Sequence, residues 1–167
     1  MNEKKPLFIF QWKYAFFIFV LLSVIETAEA KEVIGRLERV SINHGGLILE
    51  AKIDTGAKNS SLNAENYHLS RKAGEIWVKF DVTNPDGKTV TLEKPVVRFV
   101  KIKRKEANIQ QRPAILLDVC IGKVFKEVEV NLVNRSNFDY QMLIGRSLLR
   151  GEFIVDVGKS FTIEPRC

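Results

Sequence analysis

Short apolar runs separated by turn residues dominate the sequence after Lys31, and helical periodicity is almost absent. Runs of this length, with apolar and polar side chains alternating, are typical of β-strands. The clearest run, Leu47–Ile53, follows turn residues at 43–46 and is predicted to pair with residues 33–42 as a hairpin. The pattern predicts an all-β fold, either a small barrel or a sandwich.

The same pattern predicts further elements along the chain. Strands are expected at residues 75–82, 89–92, 96–102, 115–121, 124–133, 153–157 and 161–163. The stretch from Ser61 to Leu69 is polar and predicts no regular element. Residues 103–112 predict a loop or a mobile hairpin tip, and residues 134–141 a second loop. One helical turn at residues 147–150, ended by Gly151, is the single helix expected, and we expect no internal repeat.

The first thirty residues have the pattern of a secretory signal peptide. Lysines at 4, 5 and 13 precede an apolar run at residues 15–25, and Ala28-Glu29-Ala30 is a small-x-small cleavage site. The run is shorter than the about 20 residues of a membrane span. The alternative is an uncleaved anchor that includes residues 8–12. We predict a mature chain Lys31–Cys167, exported to the bacterial periplasm or secreted, without stable membrane insertion after cleavage.

The net charge of +6 indicates a soluble domain with a mild preference for anionic surroundings. The densest basic stretch, residues 98–105, alternates with Val100 and Ile102, as a strand with one solvated face does. A functional anion site there is the alternative. We expect no nucleic-acid partner.

The mature chain has two cysteines, Cys120 and Cys167. Export would permit a disulfide, but two cysteines are not the framework that stabilises small secreted folds. Because Cys120 lies in an apolar run, we predict a small buried hydrophobe and leave its pairing open. Neither cysteine has the spacing of a zinc site.

Two segments contain the candidate active-site residues. Asp54-Thr55-Gly56 places a carboxylate where a strand meets a turn of small residues, and Leu143-Ile144-Gly145-Arg146 follows much later. In their contexts, Ala-Lys-Ile-Asp-Thr-Gly-Ala and Met-Leu-Ile-Gly-Arg-Ser-Leu-Leu, they resemble the active-site loop and ψ-loop of retropepsin-type aspartic peptidases. The resemblance implies one retropepsin-like domain over residues 31–167. Its fold would be a small closed β-barrel, one lobe per chain, with at most one short helix after the ψ-loop.

A bacterial branch of that family, labelled ATP-dependent zinc proteases, is more similar still, through Arg112-Pro113 and Asn134-Arg135-Ser136. The sequence lacks a phosphate-binding glycine-rich loop and a His-Glu-x-x-His motif. Where the branch usually has His, this chain has Asn63, and His44 and His68 are far apart in sequence. We therefore predict neither a metal nor another cofactor, and a zinc-dependent hydrolase is the less favoured alternative.

The resemblance assigns a role to each matching residue. Asp54 would be the shared acid and base, and Thr55 would hydrogen-bond across a two-fold axis. Gly56 would admit the substrate backbone, which any Cβ would block, and Ala57 would border the groove.

In the ψ-loop, Leu143, Ile144 and Gly145 would pack behind the active-site loop. Arg146 requires another acid, such as Asp139 or Glu152, or a different subunit contact. The reason is that Lys58 stands where retroviral relatives have the acidic partner.

Peptide hydrolysis of this type needs one carboxylate to deprotonate water and one carboxyl to polarise the carbonyl. Asp156-Val157-Gly158 lacks the hydroxyl that Thr55 provides, and we predict that it is structural. The second carboxyl would therefore be Asp54 of another subunit. We predict a homodimeric aspartic endopeptidase acting on peptides or proteins. The alternative is a non-catalytic module that holds an extended peptide. Two features favour it. One is Lys58, and the other is the absence of glycine from residues 103–111, where retroviral relatives cover the substrate with a glycine-rich hairpin tip.

Overall fold

A computed structural model describes residues 30–42, 46–103 and 109–167. The predicted signal peptide up to residue 29, most of the turn at 43–46 with His44, and residues 104–108 of the predicted hairpin tip lie outside the described residues. Within the described part, no helix is long and apolar enough to cross a membrane.

The described residues form strands and one short helix. The first six strands are β1 (Glu32–Gly35), β2 (Leu37–Ile42), β3 (Leu47–Ile53), β4 (Ser60–Asn63), β5 (Glu65–Lys72) and β6 (Glu75–Thr83). The others are β7 (Thr89–Pro95), β8 (Arg98–Lys103), β9 (Ile109–Ile121), β10 (Val124–Val133), β11 (Met142–Ile144) and β12 (Phe153–Asp156). The helix is α1 (Arg146–Leu149).

Six strands close into a barrel in the order β10, β4, β11, β3, β2, β9, and β9 pairs again with β10. The short strand β11 lies between β3, to which it is parallel, and β4, to which it is antiparallel. β8 extends the sheet beyond β9. The predicted all-β closed barrel of the retropepsin type, with one short helix, is confirmed.

Alternation along the strands fills the barrel. In β3, Leu47, Leu49, Ala51 and Ile53 are buried, while the residues between them face outward. The largest fully buried side chains are Phe80, Ile34, Ile42, Leu49, Leu62, Ile115, Leu117, Ile121, Leu132, Met142, Ile144 and Leu148.

Two smaller sheets accompany the barrel. β5, β6 and β7 form an antiparallel sheet, in which β6 contributes Val78, Phe80 and Val82 to the core while β5 is exposed along its length. β1 and β12 form a parallel pair that places Gly35 opposite Asp156.

The polar stretch from Ser61 to Leu69, to which no strand was assigned from the sequence, is occupied by β4 and β5. The polar side chains of β4 are buried because they accept hydrogen bonds inside the fold. Ser60 Oγ accepts from Gly145 N at 3.2 Å, and Asn63 Oδ1 accepts from Arg135 N at 2.7 Å. Burial of satisfied acceptors is invisible to a hydropathy pattern.

The loop predicted at residues 103–112 is wrong at both ends, where strands are found instead. β8 continues to Lys103, and β9 begins at Ile109 and runs through Pro113. The predicted strand at residues 161–163 is absent. There the N–H groups of Thr162 and Ile163 bond to the carboxylate of Glu38 instead of a neighbouring strand.

A disulfide joins Cys120 on β9 to Cys167 at the end of the chain. The prediction that Cys120 is a buried small hydrophobe is therefore incomplete: the residue is buried, but it is bonded rather than free. Together with the Glu38 contacts, the disulfide holds the C-terminal segment, residues 161–167, against the barrel.

Candidate active site

The carboxylate of Asp54 is fixed by its own turn. Asp54 follows the last residue of β3, and its N–H donates to Ile144 O at 2.9 Å. Its Oδ1 accepts hydrogen bonds from Gly56 N at 2.9 Å and Ala57 N at 3.1 Å. The residue is half-buried while Thr55 and Gly56 are exposed. The carboxylate is thus oriented by backbone donors at the surface of the barrel. We call residues 54–59 the Asp54 loop.

The chain after β11 crosses close behind the Asp54 loop. Arg146 N donates to Ala57 O, and Ser147 N to Lys58 O, each at 3.0 Å. A Cβ added to Gly145 would lie 2.6 Å from Asn59 O, a distance that real Cβ atoms do not show. Only glycine fits this crossing without moving backbone. The structure therefore brings the two sequence motifs together, with Ile144 buried and Leu143 half-buried.

Arg146 binds the Asp54 loop instead of a carboxylate. Its Nη1 donates to Thr55 O at 2.9 Å and Gly56 O at 2.6 Å. Among the described residues, neither Asp139 nor Glu152 pairs with Arg146, and Glu152 pairs with Lys126 at 2.6 Å. Of the two alternatives for Arg146, only a different subunit contact is left as a prediction. Nη1 of Arg146 thus has two carbonyl acceptors although Lys58 stands at the position of the expected acid.

The Asp54 turn has a counterpart elsewhere in the chain. Asp156 Oδ1 accepts from Gly158 N at 2.9 Å, as Asp54 Oδ1 does from Gly56 N. Arg36 N donates to Lys159 O, three residues after Asp156, as Arg146 N does to Ala57 O, three residues after Asp54.

A glycine stands at both crossings. A Cβ on Gly35 would lie 2.6 Å from Lys159 O, three residues after Asp156, and a Cβ on Gly145 would lie 2.6 Å from Asn59 O, five residues after Asp54. The expectation of no internal repeat is therefore wrong. The available signal was the tripeptide Ile-Gly-Arg, which occurs at residues 34–36 and again at 144–146.

Charge distinguishes the two turns. Lys159 Nζ lies 3.2 Å from Asp156 Oδ2, and the pKa of Asp156 is lowered, first by the Gly158 N–H and then by Lys159. Among the described residues, no ion pair involves Asp54. A carboxylate free of a fixed cation is the one available to exchange protons with a second carboxyl.

A cationic cluster surrounds part of β4, the strand that follows the Asp54 loop in sequence, and we call it the Arg135 cluster (Ser61, Asn63, Arg112, Arg135 and Phe138). Arg135 is buried, donates from Nη1 to Ser61 Oγ at 2.9 Å, and stacks 4.5 Å from the Phe138 ring centroid. Its pKa is lowered, mainly by burial and further by the charge of Arg112. In the sequence, Arg112 and Arg135 stand out only through the family resemblance, and no local pattern shows that their charges interact.

The described residues do not fit a zinc ion. They contain no group of three or more His, Cys, Asp or Glu side chains placed to hold a metal. Asn63, where the resemblance implies a His, is buried and donates from Nδ2 to Glu65 Oε1 at 3.1 Å. Its Oδ1 is occupied by Arg135 N. The side chain therefore serves the fold.

Comparison with known proteins identifies the family. The family described as "Retropepsin-like aspartic endopeptidase RimB" matches residues 33–166. The chain belongs to this RimB-like family. The resemblance to retropepsin-like peptidases deduced from the Asp54 and Leu143 motifs is confirmed.

Similar proteins come from several bacteria. A protein of Desulfotalea psychrophila named "Probable alpha-L-glutamate ligase" is 33% identical over 131 residues, which cover 76% of this chain and 28% of that protein. One of Shewanella halifaxensis with the same name is 31% identical over 118 residues, or 69% and 26% of the two chains. This chain thus spans about a quarter of the length of these relatives. The crystal structure of a Legionella pneumophila protein of unknown function has a TM-score of 0.69 and 32% identity. It covers 81% of this chain and all of that one.

Proposed function

We propose that this member of the RimB-like family is an exported aspartic endopeptidase whose active site is completed by a second copy of the chain. The observation that carries the proposal is the Asp54 carboxylate. Two backbone N–H groups orient Oδ1, and Oδ2 accepts no hydrogen bond from the described residues. An oxygen left open at the protein surface is suited to bind the attacking water.

In the proposed mechanism, one carboxyl acts as the base and the other as the acid. The ionised Asp54 takes a proton from water as the water oxygen bonds to the carbonyl carbon. The protonated Asp54 of the second copy donates to the carbonyl oxygen. When the peptide bond breaks, the leaving nitrogen receives a proton from one carboxyl, and a hydroxyl of the tetrahedral intermediate returns its proton to the other carboxylate, so the pair again holds one proton. Two carboxyls close together share one proton, because both cannot ionise in the same small volume.

The preferred substrate is proposed to be an acidic peptide. The chain is basic, with a net charge of +6. Lys58 is exposed on the Asp54 loop, and the Arg135 cluster brings two guanidinium groups into electrostatic contact. A concentration of positive charge attracts the carboxylates of an acidic peptide. The relatives named as glutamate ligases support glutamate-containing peptides as the first substrates to test.

The test compares three proteins on a glutamate-rich peptide and on a matched glutamine-rich peptide from pH 3 to 7. Wild type is expected to cleave the glutamate-rich peptide faster, and Asp54→Asn to lose cleavage. Asp156→Asn, the same change in the counterpart turn, is the matched control and should keep activity. Equal cleavage by wild type and Asp54→Asn, or cleavage by neither, would refute the enzymatic proposal.

The second candidate is a peptide-binding module of the same fold. It is favoured by Arg146, which finds its acceptors within its own chain and so requires no partner subunit. This candidate predicts a monomer by sedimentation at micromolar concentration. It also predicts peptide binding that is unchanged in Asp54→Asn.

A further inference from the structure

Glu129 on β10 binds two parts of the chain at once. Its Oε1 accepts hydrogen bonds from Asn59 Nδ2 at 2.8 Å and from Arg98 Nη2 at 2.5 Å, and its Oε2 accepts from Arg98 Nε at 2.9 Å. Asn59 is the last residue of the Asp54 loop, and Arg98 is the first residue of β8. One carboxylate therefore connects the β8–β9 hairpin to the loop that carries Asp54.

Strand register explains why these three side chains meet. The parallel pairing of Val130 with Ser60 places the preceding residues, Glu129 and Asn59, side by side. Arg98 pairs with Ala114 of β9, and Ala114 pairs in turn with Asn131 of β10. The Arg98 side chain thus reaches across β9 to the carboxylate. The planar guanidinium meets it through two parallel bonds, which fix orientation as well as distance.

Asn59 is a sensitive point in the Asp54 loop. Its backbone packs against Gly145 so closely that a Cβ there would lie 2.6 Å from Asn59 O. The next residue, Ser60, accepts a hydrogen bond from Gly145 N. A shift of Asn59 would therefore disturb the crossing that supports the Asp54 turn.

We propose that Glu129 is a positioning residue for Asp54, through which the β8–β9 hairpin and the Asp54 loop hold each other in register. The inference rests on the proposed peptidase function for its meaning in catalysis. The side chains of Glu129 and Arg98 are 23% and 49% exposed, and ion pairs at such exposure add little stability. The contribution of Glu129 is therefore to geometry more than to folding.

The first experiment measures amide hydrogen exchange at Gly56 and Ala57, the two donors to Asp54. Glu129→Gln is expected to speed their exchange about threefold to tenfold, because the loop opens locally once Asn59 and Arg98 are no longer held by one carboxylate. Glu127→Gln is the matched control. It is the same change, on the same face of β10, at an exposed residue, and it should leave the exchange unchanged.

The second experiment is a double-mutant cycle with Arg98→Met, whose exposed side chain can be replaced with little risk to folding. Arg98→Met alone should also speed exchange at Gly56 and Ala57, but add nothing in the Glu129→Gln background. Additive effects of the two changes would refute the positioning role of Glu129. So would exchange rates at Gly56 and Ala57 that are the same in Glu129→Gln as in wild type.

Kinetics separate this inference from the proposed function. If the protein is a peptidase, Glu129→Gln should lower kcat about tenfold with little change in KM, while Glu127→Gln changes neither. A wild-type protein without activity would refute the function, and the exchange data would still decide the positioning role. An active enzyme in which Glu129→Gln matches Glu127→Gln in exchange and in kcat would refute only the positioning role.

Discussion

Asp54 and Asp156 occupy turns with the same backbone hydrogen bonds, but they have different neighbours. The Asp156 carboxylate is paired with Lys159, whereas Asp54 is held by N–H groups alone among the described residues. A fixed cation keeps a carboxylate ionised and engaged in an ion pair, and such a carboxylate suits a structural turn. The residue-scale contrast is the reason that Asp54, rather than its counterpart, is the proposed acid and base.

The Asp156 turn makes a pH-dependent contribution to stability. Its pKa is lowered by the Gly158 N–H and by Lys159 from an ordinary value of 3.8. A carboxyl with a lowered folded pKa adds stability above its unfolded pKa, and this is lost as pH falls through the folded value. We expect Asp156→Asn to have a lower Tm than wild type above about pH 5, with the difference shrinking below about pH 4. Thermal melts from pH 2 to 7 measure it, and a difference independent of pH would contradict it.

The two crossing glycines should respond alike to substitution. In Gly145→Ala and Gly35→Ala the new Cβ meets backbone atoms at 2.6 Å, so backbone must move. We expect each to cost about 1–3 kcal/mol in the free energy of unfolding. Gly158→Ala is the control, since its Cβ would meet only a side-chain oxygen, at 3.2 Å. Urea titration measures all three, and an equal loss in Gly158→Ala would show that crowding is not the cause.

Among the elements of the fold, the C-terminal segment is held by a side chain where a strand was predicted. The Glu38 carboxylate is fully buried and accepts from Gly35 N, Thr162 N, Thr162 Oγ1 and Ile163 N. These donors belong to segments far apart in sequence, so one side chain fastens the chain end to β1. Backbone groups that would otherwise need a sheet partner are satisfied by a carboxylate.

Glu38→Gln should therefore loosen the C-terminal segment. The amide nitrogen of Gln would face N–H donors and leave at least one of them without an acceptor, which costs about 1–3 kcal/mol for each buried group. We expect a loss of about 2–3 kcal/mol in urea unfolding on that basis. Glu164→Gln, which removes the exposed pair with Arg39, should cost less than about 1 kcal/mol. Equal losses in the two variants would contradict the role given to Glu38.

At the scale of the whole molecule, the disulfide closes the fold. Cys120 and Cys167 are separated by 47 positions, and bridging a loop of that length stabilises by about 2–4 kcal/mol through restriction of the unfolded chain. Wild type should lose that amount of unfolding free energy in reducing buffer. The variant Cys120→Ala/Cys167→Ala should start lower and show no response to reductant. A response in the double variant would place the effect elsewhere.

Much of the fold follows from local patterns, and the remainder depends on distant contacts. β3 and β10 were predicted with their observed bounds, because strong alternation and flanking turns define them. β4 was missed because its polar residues are satisfied by Gly145 and Arg135, which are remote in sequence. The absent strand at residues 161–163 and the Cys120 disulfide have the same origin, since Glu38 and Cys167 are distant partners.

The candidate site divides in the same way. Asp54 and Gly145 carry short motifs whose meeting could be expected from the family resemblance. The links of Glu129 to Asn59 and Arg98 depend on strand register, which no local pattern contains. The acceptors of Arg146 could not be anticipated either, because they are backbone carbonyls and leave no mark in the sequence.

If two copies of Asp54 form one active site, mixing active and inactive subunits must lower activity in a defined proportion. Wild type and Asp54→Asn are combined at constant total protein, allowed to exchange subunits, and assayed on the glutamate-rich peptide. If each site needs both carboxyls, an equal mixture retains about a quarter of the wild-type activity, because only homodimers of wild type are active. If one Asp54 is sufficient, the mixture retains about half or more, and the shared active site is refuted.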